Sequence, residues 1–352
     1  MRRVMIALVL VSTLACGGTD ESPNSGPGIP VGAAFSISPV TANIPPSGPE
    51  VLAAFSAVRD AGARGYLASY RWSELEPQPG QYALTDLQTL LQTITGLGFD
   101  RILLNIQVIN TNQKETPADL LGVAWDAPQM QTRFRALLDQ VAPLLGPEVK
   151  YIAIGNEVDA YLGPNNQWAA YQTFFGQARA YVRTLRPGQQ VGVTTIFDGA
   201  RGAWKTPVQA LNALADVAVY TYYGNNGAFQ DLPPSAGVDA LDEMVTLAAG
   251  KPVLVQEFGQ ASTPVNGGSD DLQARFFAAS LARWHDIGGT AMPFLSVFAL
   301  YDFPPWLCDE LLTYYGTGPN TAFREYLCTL GLKRQDGTSK PSWDSVRAFG
   351  RR

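Results

Sequence analysis

The chain has 352 residues and a mass of 37.9 kDa, which fits one large barrel or two ordinary domains and is too long for a small stapled module. With 46% apolar and 16% charged residues it can build a large core, so global disorder is excluded. The net charge is -6 with no basic block, against a nucleic-acid partner or an anionic-membrane surface, and the single histidine, His285, excludes a His-rich metal site; no cofactor or metal is expected.

Residues 1–15 read as a secretory signal: Arg2 and Arg3 precede an apolar run at 4–14 that is too short to span a bilayer. The run ends Thr13-Leu14-Ala15-Cys16-Gly17, which resembles a bacterial lipobox. That resemblance implies cleavage before Cys16 and lipidation of its thiol; the alternative is an ordinary signal with an incidental cysteine. Residues 16–30 are rich in Gly, Ser, Pro and acid, with no apolar period, and predict a flexible tether. Residues 31–352 form the folded domain.

From there short β-rich runs alternate with helical spacing. Strands are predicted at 32–37, 65–70, 101–109, 149–155, 191–197, 217–222, 252–256 and 289–299. Helices are predicted at 51–61, 87–97, 134–145, 168–185, 208–214, 241–248, 272–284 and 321–330. Eight strand-then-helix units imply parallel strands and a single-domain α/β fold, the (β/α)8 TIM barrel. The competitor is an open doubly wound sheet, which would carry a Gly-rich turn after its first strand; no G-x-G-x-x-G occurs near Gly32. Cys308 and Cys328 form an even pair in a secreted chain, which suggests a disulfide closing a loop of about 20 residues, worth roughly 3 kcal/mol. Two buried free thiols are the alternative.

In such a barrel, chemistry sits where strands end at their C-terminal side. The fourth strand ends in Asn156-Glu157 and the seventh runs into Glu257-Phe258-Gly259. A carboxylate ending a buried apolar strand is costly unless it is paired or used. A glycosidase uses such a pair, one acid to protonate the leaving oxygen and one carboxylate to attack or to activate water.

Taken with the Trp72…Glu76-Pro77…Gly80 segment after the second strand and Asp336-Gly337…Lys340-Pro341 near the end, the chain resembles the large (β/α)8 clan of retaining glycoside hydrolases that includes cellulases, mannanases and galactanases. The resemblance implies that Glu157 is the acid/base, Glu257 the nucleophile and Asn156 the ligand of the sugar 2-hydroxyl. It implies that Tyr222 hydrogen-bonds the nucleophile. Asn105 and Arg71, at the ends of the third and second strands, are further substrate-binding candidates. Three features depart from the clan. Arg71 does not fall at the usual arginine spacing before the tryptophan after the second strand. Asn105, Gln107 and Asn110 stand where several families have histidines, and 298–303 (FALYDF) replaces the usual tryptophan after the eighth strand.

Sugars stack on aromatic faces, so Trp72, Trp125, Trp168, Trp204 and Trp306 are candidates for the cleft wall, Trp72 first. Glu74 and Glu76 read as scaffold, and His285 as a helix C-terminal residue favouring the dipole. The leading reading is a monomeric retaining β-glycosidase of the cell envelope, touching the membrane only through its anchor and acting on a β-linked oligo- or polysaccharide. The second is a catalytically inactive barrel serving as a carbohydrate-binding surface lipoprotein. A third is a glycan lyase or transglycosylase using the same carboxylates.

Overall fold

The computed structural model describes residues 26–352. The signal and Cys16 lie outside the described residues. Eight strands succeed one another: β1 (Ala34–Ile37), β2 (Gly65–Arg71), β3 (Arg101–Asn110), β4 (Val149–Asn156), β5 in two segments (Gln190–Gly192 and Thr194–Ile196), β6 (Ala218–Tyr223), β7 (Val253–Gly259) and β8 (Phe294–Val297). Between them run α1 (Gly48–Asp60), α2 (Thr85–Gly96), α3 (Pro128–Val141), α4 (Trp168–Leu185), α5 (Lys205–Leu214), α6 (Ser235–Leu247) and α7 (Asp270–Ile287). After β8 come α8 (Pro305–Tyr315), α9 (Thr321–Cys328) and α10 (Pro341–Gly350).

The strands pair in parallel around a ring. β2 pairs β3, β3 pairs β4, and β4 pairs the first segment of β5. The second segment of β5 pairs β6, and the order continues through β7 and β8 to β1. The Arg64 N–H donates to the Phe35 carbonyl at 3.0 Å and closes the ring between β1 and β2. This is the predicted (β/α)8 barrel. Because both faces of each strand are covered, the strands are nearly continuous apolar runs, as in RILLNIQVIN of β3.

The alternation of side chains makes two cores. Ala34, Leu103, Tyr151, Ala153, Val219, Leu254 and Phe294 fill the barrel interior. Ile102, Leu104, Ile152 and Val255 face outward into the larger shell under the helices. The helices start where short polar side chains cap them. Ser47 and Glu50 form a capping box on α1, and the Ser269 hydroxyl accepts from the Leu272 N–H at the start of α7.

Two expectations change at the C-terminal end. The eighth barrel helix is α10, not 321–330; Phe349 of α10 packs on Trp284 at 5.8 Å and on Phe35 at 6.1 Å. The α8–α9 hairpin is an insertion between β8 and α10, and the spacing predicts no helix at 305–315. A disulfide joins Cys308 of α8 to Cys328 of α9, with 5.9 Å between the Cα atoms. The start of the fold also moves. Gly28 and Pro30, assigned to the tether, are buried against the barrel, and the His285 Nδ1–H donates to the Gly28 carbonyl at 2.6 Å. Glycine is required at one contact here: a Cβ on Gly62 would stand 1.8 Å from the Gly350 carbonyl oxygen.

Candidate active site

The C-terminal strand ends surround a pocket of about 610 Å³. Both Glu157 and Glu257 line it. Sharp backbone geometry delivers the first. Gly155 has φ +89° and Glu157 φ +48°, so the chain turns steeply as β4 ends. A side chain at Gly155 would meet Val158 and the Tyr171 hydroxyl at 2.5 and 2.6 Å. A left-handed glutamate is uncommon and is kept only where its surroundings hold it. They do so here: the Thr111 N–H donates to the Asn156 carbonyl at 2.9 Å, and the Val158 N–H to the Thr194 carbonyl at 3.1 Å.

Hydroxyl groups then fix the carboxylates. Thr111 Oγ1 and Thr221 Oγ1 each donate to Glu157 at 2.7 Å, one to each oxygen. The Tyr223 hydroxyl donates to Glu257 Oε2 at 2.6 Å. Beneath them lies a buried amide network. Gln256 Nε2 donates to Asn156 Oδ1 at 2.6 Å, while Asn105 Nδ2 and Thr194 Oγ1 donate to Gln256 Oε1 at 2.8 and 2.7 Å. Asn156 Nδ2 donates to Asn110 Oδ1 at 2.9 Å, so the amide of Asn156 is fixed from both ends.

Among the described residues that line the pocket, none is lysine or arginine. Burial therefore raises both carboxyl groups. For Glu257 burial is the larger cause and the charge of Glu157 adds to it, bringing it to about 7. Burial also raises Glu157, against the pull of its two threonine hydroxyls. Two like charges in one pocket resist forming together, so the pair loses its two protons in separate steps and holds one proton between them.

The structure redistributes several sequence candidates. Tyr222 is not the partner of Glu257; its hydroxyl donates to the Ala236 carbonyl at 3.1 Å, and the neighbouring Tyr223 makes the bond assigned to it. Trp72 is not in the cleft. It is fully buried, donates from Nε1 to Glu76 at 2.8 Å, and packs edge-on against Phe134 at 5.0 Å. Trp125, Trp168, Trp204 and Trp306 also stand outside the pocket lining. Its rings are Tyr and Phe, among them Tyr222, Phe229, Phe298 and Tyr326. Asn105 lies under the site and reaches it only through Gln256 and Asn156. Arg71 pairs with Glu115 at 3.4 Å and lies over the Tyr314 ring, outside the lining. Glu76 is scaffold as expected, accepting from Trp72, Gly80 and Arg133.

Sequence reasoning missed Thr111, Thr221, Tyr223 and Gln256. Three of these lie beside a β-bulge. The β6–β7 register shifts between Tyr220 and Thr221, so Gln256 and Glu257 both reach the interior although they are adjacent.

Several solved structures share the fold. A GH5_18 protein from Streptomyces cattleya, in complex with GlcNAc, is 17% identical, with 93% of this chain and 81% of that chain covered and a TM-score of 0.73. A GH5_18 protein from Bifidobacterium longum subsp. longum, in complex with Manb1-4GlcNAc, is 14% identical, with 91% and 78% covered and a TM-score of 0.71. An exo-beta-1,4-mannosidase from Opitutaceae bacterium strain TAV5 is 17% identical, with 94% and 62% covered and a TM-score of 0.69. No family model and no curated protein matches the sequence.

Proposed function

We propose that the protein is a retaining β-glycosidase that cleaves a β-glycosidic bond by double displacement. The observation that carries this reading is the placement of Glu157 and Glu257 in one pocket at the C-terminal mouth of the barrel, each held by its own hydroxyl donors. Similarity of fold to GH5_18 proteins and an exo-beta-1,4-mannosidase supports it.

In this reading the reactive form of the pair carries its one proton on Glu157. Glu257 attacks the anomeric carbon while Glu157 gives its proton to the leaving oxygen, and a glycosyl-enzyme forms. Glu157, now a carboxylate, takes a proton from water, and that water displaces Glu257 with a second inversion. Asn156, its amide locked by Gln256 and Asn110, is placed to hold the sugar 2-hydroxyl. The test is a panel of β-mannosides, β-glucosides and β-galactosides, with the first-formed anomer read by NMR. The β-anomer is expected first. An α-anomer first would mean inversion. No turnover of any member with sugar binding retained would favour the carbohydrate-binding barrel.

We also propose lipidation at Cys16, which would tie the domain to the cell envelope. Gly28 meets α7 near its C-terminus and lies against Arg352, at the end of the barrel opposite the pocket. Cys16→Ser protein is expected in the soluble fraction, the parent in the membrane fraction; unchanged fractionation would overturn the anchor.

A further inference from the structure

The α8–α9 hairpin does more than close the fold. Its inner face forms part of the lining of the same pocket through Leu307, Leu311, Phe323 and Leu327, with Leu330 just past α9. Phe229, from the segment after β6, joins it, with its ring 4.7 Å from Phe323. The insertion also lends Tyr315, Thr317 and Tyr326 to the lining, and the strand ends add polar groups such as Asn110, Asn156 and Asp198. The pocket thus joins an apolar patch to polar groups and the two carboxylates.

A sugar ring offers hydroxyls in several directions, and each loses hydrogen bonds to water when it is buried. Against leucine side chains those bonds are not replaced, at a cost of roughly 1–3 kcal/mol per hydroxyl. The leucine patch is therefore a poorer seat for a second sugar than for hydrocarbon. Its place beside the acid is also fixed. The Asn112 Nδ2–H donates to the Tyr315 carbonyl at 2.9 Å, joining the C-terminal end of α8 to the loop whose Thr111 hydroxyl holds Glu157. The disulfide pins the two helices that carry the wall.

We infer that the α8–α9 wall binds an apolar aglycone, so that the substrate is a β-glycoside of an alkyl or aryl alcohol rather than a chain of sugars. This rests on the glycosidase reading and names the substrate class of that site. Glu157 would then protonate the oxygen between the sugar and an apolar leaving group. The leaving alcohol departs with that proton, and water enters on the vacated side.

The experiment compares kcat/KM for methyl, butyl, hexyl, octyl and phenyl β-glycosides and a β-linked disaccharide of one glycone, all below micelle-forming concentrations. For the alkyl series kcat/KM is expected to climb with chain length, by at most about fourfold per buried methylene. The phenyl member tells an aryl-shaped seat from an alkyl-shaped one. Leu307→Gln and Leu311→Ser should each flatten the chain-length dependence, and circular dichroism checks that they fold. Octyl β-glycoside should also bind Glu257→Gln protein more tightly than the methyl compound does, read by calorimetry without turnover. Equal kcat/KM for methyl and octyl members, or a disaccharide preferred tenfold or more, overturns the inference and leaves the glycosidase reading standing. Chain-length-dependent binding with no hydrolysis of any member overturns the glycosidase reading instead.

Discussion

Glu257→Ala protein is expected to lose roughly 10⁴-fold or more in hydrolysis of every β-glycoside the parent cleaves, because the carboxylate assigned to attack the anomeric carbon is gone. Glu157→Ala should differ in kind. On glycosides with poor leaving groups it should lose roughly 10²–10⁴-fold, the usual worth of general acid catalysis. On a dinitrophenyl glycoside, which needs no proton to leave, the glycosyl-enzyme should still form and accumulate. Added azide should then speed turnover by attacking that intermediate in place of water that has no base. Both variants should fold. Burial and like charge raise Glu257 from the usual 4.5 to about 7, so this carboxylate is harder to ionise in the folded protein than in the unfolded chain. Its contribution to stability is therefore lost as pH rises through that window, and Glu257→Ala should melt no lower than the parent at pH 7. Full activity of Glu157→Ala on an unactivated glycoside would refute the assignment.

The barrel was legible because its physics is local and repeated. Runs such as 101–110 and 149–156 are short, apolar and β-branched, and each is followed by a helical period, which alone implies parallel strands with crossovers. The carboxylates were legible for the same reason, since Glu157 and Glu257 stand at or near the ends of runs that are mostly buried. The insertion after β8 was not. Its two helices are short, and their apolar faces pack on each other and on the pocket rather than on the barrel, so their spacing does not distinguish them from barrel elements. The sequence placed the eighth helix one hairpin too early as a result. Trp72 was misplaced because a tryptophan at a strand end packs or stacks with equal ease; what decides is Glu76 one turn later, whose buried carboxylate takes the indole N–H. The 222/223 slip has the sharpest cause. In a strand a shift of one residue exchanges the faces, and the bulge between β6 and β7 sits where the count had to be made.

That slip sets the last expectation. Tyr223→Phe should lower kcat/KM by roughly ten- to a hundredfold, the worth of one hydrogen bond to a charged group, while Tyr222→Phe changes it little. Tyr223 is fit for the task because burial and the neighbouring carboxylate hold its hydroxyl well above its ordinary range, so it stays protonated and donates wherever the enzyme works. Its bond stabilises the ionised form of Glu257 and so holds that group lower than burial alone would. Removing the bond raises Glu257 further. The nucleophile must be ionised, so activity falls as pH drops through its pKa, and the acid limb of the profile should move to higher pH in Tyr223→Phe. The alkaline limb, set by the proton on Glu157, should move much less. A lost packing contact would lower the whole profile without moving one limb. If the acid limb stays in place, Tyr223 supports the pocket wall and does not tune the nucleophile. If Tyr222→Phe shifts the limb instead, the tyrosine assigned from the sequence is the right one and the bond to Tyr223 is not the one that matters.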